Sequence, residues 1–267
     1  MRTLIASLSW LARPQPQASP CSLAVAIRTY ASYSDRNRWL HRQKSDPYVK
    51  KASEQNYRAR SAFKLIELDD KYHLITPSAL CIDCGAAPGG WSEVLAQRVY
   101  QGAFRRPAWI GSPETVRAGE GQALSPTASP TAESDGLVYA LDLLPMQPIP
   151  GVHCLQGDFT LPATVEALRR CLGGRPADLV VSDMAPSFSG THSIDHIRIM
   201  NLCEDAAGFA RGILRPGGSF VCKFLVGGTE KDFSKELKTV FNKVIVSKPK
   251  SSRKESAEAF FVCLDKK

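Results

Sequence analysis

Short apolar segments alternate with amphipathic segments along most of the chain, and this alternation limits the possible folds more than any other feature. Buried strands are predicted at residues 80–82, 137–141, 152–155, 179–182, 219–225, 243–246 and 259–264. Helices are predicted at residues 59–68, 91–99, 163–171, 195–214 and 230–241. The sequence therefore predicts an α/β fold with a mostly parallel seven-stranded sheet and helices on both faces. Only a short loop, residues 247–256, joins the last two strands, so they should pair antiparallel.

A glycine-rich turn follows the first predicted strand. It reads Asp83-Cys84-Gly85-Ala86-Ala87-Pro88-Gly89-Gly90-Trp91 and leads into a helix. A strand, a glycine turn and a helix start bring the backbone close to a ligand at the carboxyl edge of a Rossmann-like sheet. The spacing is G-x-x-x-G-G and not the dinucleotide pattern G-x-G-x-x-G, which disfavours a nicotinamide-dependent dehydrogenase.

Two acidic residues close the next two strands. Asp142 ends the second, where a carboxylate can accept hydrogen bonds from ribose hydroxyls, and Asp158, within Gln156-Gly157-Asp158-Phe159, ends the third, within reach of an adenine amino group. With the glycine turn, they predict a site for an adenosine-containing ligand. The alternative is that both acids only cap turns.

An acid and a lysine occupy the corresponding positions on the fourth and fifth strands. Asp183 follows the fourth strand, so it should reach the same edge of the sheet, although it could also be a turn residue before Pro186. Lys223 interrupts the apolar fifth strand. Because an isolated buried charge is costly, Lys223 should either pair with Asp183 in a site or extend to the sheet edge.

The N-terminus has the composition of an organelle transit peptide. Residues 1–34 contain three arginines, many Ser and Ala, and no acid. The segment around Tyr30 resembles a mitochondrial processing site, and the alternative is a disordered basic tail. Removing residues 1–30 would lower the net charge from +8 to +5. The remaining excess of positive charge would still favour a polyanionic partner. No apolar run is long enough to predict a membrane span.

Three further features have less specific interpretations. Residues 36–60 carry eight Lys or Arg against two acids, which indicates either a solvated face or RNA contact. Residues 101–136 are rich in Pro, Ser, Thr, Gly and Ala and are predicted to be a flexible surface insertion. Cys81 and Cys84 have C-x-x-C spacing, but a strand would point them to opposite faces, and no second pair lies at zinc-site distance. No metal is expected.

With these residues assembled, the chain resembles the FtsJ/RrmJ family of ribosomal RNA 2′-O-methyltransferases. The resemblance extends from about residue 46 to residue 265. It rests on Lys223 and on the segments at residues 57–65, 83–91, 142–145, 156–159, 182–186 and 252–258. The insertion at residues 101–136 is longer than bacterial members of the family need.

The resemblance implies a Rossmann-like methyltransferase fold, S-adenosylmethionine as the cofactor and a catalytic Lys-Asp-Lys-Glu tetrad. The tetrad falls on Lys64, Asp183, Lys223 and Glu258. In the family's usual assignment Lys223 is the base; Lys64 and Glu258 would orient the ribose and Lys223, and Asp183 would orient the cofactor and the lysine. Without the resemblance, Lys64 and Glu258 would be taken for ordinary surface charges. The cofactor contacts implied are Gly85, Pro88, Gly89, Gly90, Trp91, Asp142, Asp158, Phe159 and Asp183.

The transit-like N-terminus favours a mitochondrial member of the family. We therefore expect 2′-O-methylation of a uridine ribose in mitochondrial large-subunit ribosomal RNA, in the matrix and within an assembly intermediate of the large subunit. The expected divisions are a transit peptide at residues 1–30, a basic extension at 31–56 and a methyltransferase domain at 57–267. The alternatives are a 2′-O-methyltransferase of tRNA or of an mRNA cap, and an RNA-binding assembly factor without catalysis.

Overall fold

The computed structural model describes residues 45–100, 116–117, 136–187 and 189–267. These described residues form one compact unit. The helices are α1 Pro47–Glu54, α2 Ala62–Tyr72, α3 Gly90–Val99, α4 Pro162–Cys171, α5 His192–Ile213 and α6 Glu230–Val240. The strands are β1 Leu80–Cys84, β2 Val116–Arg117, β3 Leu137–Asp142, β4 Val152–Gln156, β5 Ala177–Ser182, β6 Leu214–Leu225, β7 Phe241–Ser247 and β8 Glu258–Lys266.

The strands form a single sheet in the order β2-β4-β3-β1-β5-β6-β8-β7. Strands β1 to β6 pair in parallel, and β8 is antiparallel to both neighbours, β6 and β7. The predicted mostly parallel sheet with an antiparallel last strand is thus confirmed. The two-residue strand β2, which extends the edge beyond β4, was not predicted, because it lies within the insertion. The rest of the insertion, and its predicted flexibility, lie outside the described residues.

Apolar side chains cover both faces of the sheet. One face packs against α4, α5 and α6, and the other packs against α2 and α3. The predicted packing of α2 on the sheet is confirmed, because Leu65 and Leu68 lie in the same apolar cluster as Cys81 of β1. Cys84 belongs to the cluster on the opposite face, as the strand periodicity predicted. The carboxyl ends of the parallel strands therefore meet at one edge, between two layers of helices.

Helix α1 falls in the basic stretch, where no helix was predicted. Its start nevertheless has clear signals, since Asp46 accepts a hydrogen bond from the Tyr48 amide at 3.0 Å and Pro47 occupies the first helical position. Helix α2 begins three residues later than predicted and ends four later, at Tyr72, which the left-handed residue His73 follows. The predicted boundary at residue 57 lies between these two helices, whereas the predicted transit peptide lies outside the described residues. Within the described part of the chain, no helix is both long and apolar enough to cross a membrane.

Candidate active site

The glycine-rich turn is tied to β3 and needs glycine for packing. The amides of Gly85 and Ala86 both donate to the carbonyl of Leu141, at 2.8 and 3.1 Å. Gly85 has φ +69°, and a Cβ there would lie 1.9 Å from the Met184 side chain. Gly89 has φ +110°. These residues keep the loop close to the carboxyl edge of the sheet, where the cofactor is predicted to bind.

The two strand-end acids also lie at this edge. Asp142 Oδ2 accepts from the Ala87 amide at 2.8 Å, and Oδ1 accepts from the Leu144 amide at 2.7 Å. Asp158 Oδ1 accepts from the amide and the hydroxyl of Thr160, at 2.9 and 2.7 Å. Both acids therefore do cap turns, as the alternative interpretation held. Carboxylate oxygens have further lone pairs, so these contacts are compatible with the predicted ribose and adenine contacts.

The side chains of two predicted cofactor residues are part of the core. Trp91 is 3% exposed, donates from its indole nitrogen to the Ser61 carbonyl at 2.8 Å and packs on Phe260. Phe159 is 9% exposed and packs edge-to-face on Phe209. A ligand at the sheet edge could therefore contact only the main chain of Trp91 and little more than the main chain of Phe159. Gly90 starts α3 beside Trp91, and Pro88 follows a cis peptide bond.

A buried acid, Asp83, lies beneath the loop. Its carboxylate is 1% exposed and accepts a hydrogen bond from Ser92 Oγ at 2.6 Å. Burial raises the pKa of Asp83 to about 7, opposed by the Ser92 hydrogen bond and assisted by the charges of Asp183 and Asp142. Asp83 was not among the predicted site residues. The sequence did contain a signal for it. A single acid next to an apolar strand needs a partner or a role, because an isolated buried charge is costly, and the same argument was applied to Lys223.

The four tetrad residues come together from four parts of the chain. Lys64 belongs to α2, Asp183 follows β5, Lys223 lies in β6, and Glu258 begins β8. Lys64 Nζ lies 2.7 Å from Glu258 Oε2 and 3.4 Å from Asp183 Oδ1. Lys223 Nζ lies 3.1 Å from Asp183 Oδ1 and donates to the Asp183 carbonyl at 2.6 Å. The charges alternate in the order Glu258, Lys64, Asp183, Lys223.

The cluster is largely withdrawn from solvent but keeps some exposure. Its side chains are between 9% and 16% exposed. Burial alone would raise the pKa of Glu258, but the charge and hydrogen bond of Lys64 and the hydroxyl of Ser252 outweigh it and hold that pKa below its usual value. Two positive and two negative groups make a formally neutral set, which avoids burying net charge.

The tetrad adjoins the glycine-rich turn. Met184, directly after Asp183, packs where a Cβ of Gly85 would otherwise lie. Asp183 and Asp142 are also both near enough to affect the pKa of Asp83. The predicted cofactor contacts and the predicted tetrad therefore share one edge of the sheet, and their roles in binding and catalysis stay predictions.

Arg58, in the basic stretch, is engaged within the protein. Its side chain pairs with Glu93 at 2.9 Å and also donates to the carbonyls of Gln147, at 2.6 Å, and Pro148. Its amide donates to Glu93 as well, at 2.9 Å. Arg58 thus connects α3 to the β3–β4 connection on the cofactor side. Three of the five N–H donors of the Arg58 side chain are therefore hydrogen-bonded within the protein, and RNA contact by the basic stretch stays a prediction.

Arg60 is also internal. It pairs with Asp46 and donates to the Ser251 carbonyl. Exposed lysines lie both in the described part of the basic stretch and on later segments. They include Lys50, Lys51, Lys243, Lys248, Lys250 and Lys254.

The described cysteines are free thiols, and Cys81, Cys84, Cys203, Cys222 and Cys263 are buried. Burial raises the pKa of the Cys81 thiol far above its usual value, so it stays protonated near neutral pH. Among the residues that the structure describes, no three His, Cys, Asp or Glu side chains are grouped so that they could hold a metal ion.

The sequence matches the FtsJ-like methyltransferase family over residues 57–266. The chain belongs to the FtsJ-like methyltransferase family. The match contains the glycine-rich turn, both strand-end acids and the four tetrad positions. This FtsJ-like domain is therefore a methyltransferase domain, and the predicted resemblance is confirmed.

Two bacterial relatives are similar over nearly the whole FtsJ-like domain. The "Ribosomal RNA large subunit methyltransferase E" of Gluconobacter oxydans is 42% identical over 89% of this chain and 76% of the relative. The protein of the same name from Azoarcus sp. is 41% identical over 85% of this chain and 95% of the relative. Among solved structures, a putative ribosomal RNA methyltransferase from Plasmodium falciparum has a TM-score of 0.62 at 24% identity, covering 79% of this chain and 98% of that one. This structure supports the fold.

Proposed function

We propose that this chain transfers a methyl group from S-adenosylmethionine to the 2′-hydroxyl of a uridine in mitochondrial large-subunit ribosomal RNA. The alternating cluster of Lys64, Asp183, Lys223 and Glu258 beside the glycine-rich turn carries the proposal. The two bacterial relatives, both named as large-subunit ribosomal RNA methyltransferases, support the choice of RNA. The N-terminal composition supports the mitochondrial matrix.

The donor set at the sheet edge suits this cofactor. Asp142 and Asp158 offer carboxylate lone pairs for ribose hydroxyls and an adenine amino group, and the residues from Gly85 to Gly90 present main chain without bulky side chains. S-adenosylmethionine, when bound, supplies a methyl group on a positively charged sulfur. The protein must hold the acceptor oxygen in line with that methyl group and accept the hydroxyl proton.

Lys223 is the group best placed to take the proton. To act as a base, the Lys223 ammonium must first release a proton, and the resulting neutral amine has two hydrogens and one lone pair. The two hydrogens match the carbonyl and the Oδ1 of Asp183, at 2.6 and 3.1 Å, which leaves the lone pair for the hydroxyl proton. As the oxygen–hydrogen bond breaks, the proton would pass to Lys223 Nζ and the oxygen would bond to the methyl carbon. The bond from that carbon to sulfur would break at the same time, and the sulfur would keep the electron pair and leave as a neutral thioether. Lys64, held between Glu258 and Asp183, is positioned to orient the ribose.

Methyl transfer to purified RNA tests the proposal directly. Mitochondrial large-subunit RNA, free and within assembly intermediates, would be incubated with labelled S-adenosylmethionine, and 2′-O-methyl groups would be mapped along it. We expect one uridine to be modified, and Lys223→Ala to abolish modification without weakening cofactor binding. Lys235→Ala, at a lysine whose side chain is 77% exposed, is the matched control and should stay active. Near-normal turnover by Lys223→Ala would overturn the assignment of the base.

The same assay separates the alternative substrates. Transfer RNA and capped mRNA would be tested in parallel, and stronger modification of either would replace ribosomal RNA as the substrate. Binding to assembly intermediates without any methyl transfer would favour the non-catalytic assembly factor. Cell fractionation and sequencing of the mature N-terminus test the localisation, with a matrix protein beginning at residue 31 as the expected result.

RNA binding should depend mainly on exposed lysines. Lys243, Lys248, Lys250 and Lys254 are exposed, and three of them lie on the loop that precedes Glu258. Each phosphate contact displaces counterions, so the logarithm of the affinity should fall with the logarithm of salt concentration by about 0.7 per contact on single-stranded RNA. An affinity that does not change with salt would contradict this surface.

A further inference from the structure

A serine hydroxyl fixes the carboxylate of Glu258. Ser252 Oγ donates to Glu258 Oε1 at 2.7 Å, while Oε2 takes the Lys64 ammonium at 2.7 Å. Ser252 is 4% exposed, and its amide donates to the Pro249 carbonyl at 3.1 Å. Each oxygen of Glu258 therefore has its own donor, and a buried hydroxyl opposes rotation of the carboxylate about its last bond.

The loop that carries Ser252, residues 248–257, is itself anchored to α2. Glu67 accepts hydrogen bonds from the amides of Lys250 and Ser251, at 2.5 and 3.1 Å. Arg60, two residues before the start of α2, donates to the Ser251 carbonyl. The main chain on the N-terminal side of Ser252 is thus held by an acid and an arginine that both precede the sheet in sequence.

A buried acid before α1 completes the anchor. Asp46 is 8% exposed and pairs with both Arg60 and Arg253, the latter through two contacts of 3.0 and 3.2 Å. One carboxylate therefore holds both Arg253, which belongs to the loop, and Arg60, which donates to its main chain. Asp46 and Arg60, which precede the first tetrad residue in sequence, therefore help to hold the loop on which Ser252 lies.

We propose that Ser252 is a positioning residue for Glu258, and that Asp46 maintains this arrangement through Arg60 and Arg253. The inference rests on the proposed methyl transfer. Without the hydroxyl, Glu258 Oε1 loses its donor, and the carboxylate can rotate away from Lys64. Lys64 would then move toward Asp183, the carboxylate that also holds Lys223.

Ser252→Ala tests the first part of the proposal. We expect kcat to fall by roughly tenfold or more, as is typical for loss of a hydrogen bond to a charged group, while KM for S-adenosylmethionine is unchanged. The hydroxyl helps to hold the pKa of Glu258 down, so the acid limb of the pH profile should move to higher pH. Ser252→Thr, which keeps the hydroxyl, should recover most of the activity.

Ser251→Ala is the matched control. Ser251 is 1% exposed and adjacent in sequence, but among the described residues its hydroxyl has no hydrogen-bond partner. Its side chain can therefore be shortened with all main-chain contacts of the loop intact, and activity should stay at the wild-type level. Equal kcat and equal pH profiles for Ser252→Ala and wild type would overturn the proposal, as would equal losses in Ser252→Ala and Ser251→Ala.

Asp46→Asn tests the anchor. It should lower kcat and move the acid limb in the same direction as Ser252→Ala, at a temperature well below its Tm, with KM for the cofactor unchanged. Wild-type kinetics in a folded Asp46→Asn protein would refute the role of Asp46. The pKa of Glu258, measured by NMR with carboxyl-labelled glutamate, should rise in Ser252→Ala even without substrate. If the wild-type protein methylates none of the RNAs, the proposed function is refuted. If the pKa of Glu258 is nevertheless higher in Ser252→Ala than in wild type, the positioning role is retained.

Discussion

Replacement of the buried acid Asp83 by asparagine should stabilise the protein, and increasingly so as the pH rises. Asp83 is 1% exposed and accepts a hydrogen bond from Ser92 Oγ at 2.6 Å. Asparagine keeps a carbonyl oxygen for this hydrogen bond and cannot ionise. The substitution therefore removes the cost of placing a negative charge inside the sheet, near Asp142 and Asp183, while it keeps the size of the side chain.

The magnitude follows from the pKa of Asp83. Its folded-state pKa, about 7, lies above the ordinary value of 3.8, so the folded protein binds this proton more tightly than the unfolded chain. Raising the pH from about 4 to above about 7 therefore lowers the contribution of Asp83 to the free energy of unfolding, by about 4 kcal/mol at about 1.4 kcal/mol per pKa unit. In Asp83→Asn this fall is absent. The two proteins should differ most above the folded-state pKa.

Urea unfolding of both ligand-free proteins across this pH range measures the effect. The difference between mutant and wild type should grow by about 3 kcal/mol between about pH 4.5 and about pH 8. Any cost of burying the asparagine amide applies at every pH and cancels from this slope. Asp232→Asn is the control, because that acid is exposed and its pKa is lowered by Lys235, so it should gain nothing as the pH rises. A constant difference for Asp83→Asn would refute the reasoning.

Three further substitutions test the packing around the candidate site. Gly85→Ala should weaken binding of S-adenosylmethionine in calorimetric titration, because its Cβ would displace Met184 and φ is +69°; unchanged affinity would contradict this. Arg58→Gln should raise the Kd of the cofactor and leave kcat at saturation unchanged, because it removes the contacts that join α3 to the β3–β4 connection. A loss of kcat without a change in Kd would argue for another role of Arg58. Phe224→Ala, at a fully buried ring, should cost about 3–5 kcal/mol in denaturant unfolding; a smaller loss would indicate that the core can collapse around it.

Most of the fold was predictable, because strand and helix periodicity differ and the buried strands are strongly apolar. Errors concentrated where local signals were weak or masked by charge. Helix α1 was missed because its lysines suggested a solvated or RNA-binding stretch, although Asp46 and Pro47 are a good helix start. Strand β2 was missed because two residues carry no period. It forms through pairing with β4, a contact that local sequence does not encode.

The candidate site was predictable to a different degree for different residues. The strand-end positions of Asp142 and Asp183 follow from the topology, since parallel strands bring their carboxyl ends to one edge. Lys64 and Glu258 were identified only through the family resemblance. The buried position of Asp83 and the internal contacts of Arg58 were not predicted, because burial of a charged side chain depends on which partners the fold brings to it.

The sequence by itself determined the order of strands and helices, the glycine turn and the acids at the strand ends, because all of these depend on residues close together in the chain. Only the tertiary structure decided which charges meet. Lys64 and Glu258 are 194 positions apart and yet lie within 2.7 Å, and Ser252 reaches Glu258 because Asp46 and Glu67 hold its loop. The sequence does not show whether a lysine, arginine or acid is exposed to solvent or belongs to a buried ion pair, because the charge and flexibility of these side chains suit both environments. The difference depends on whether a partner of opposite charge lies nearby, and the fold decides that.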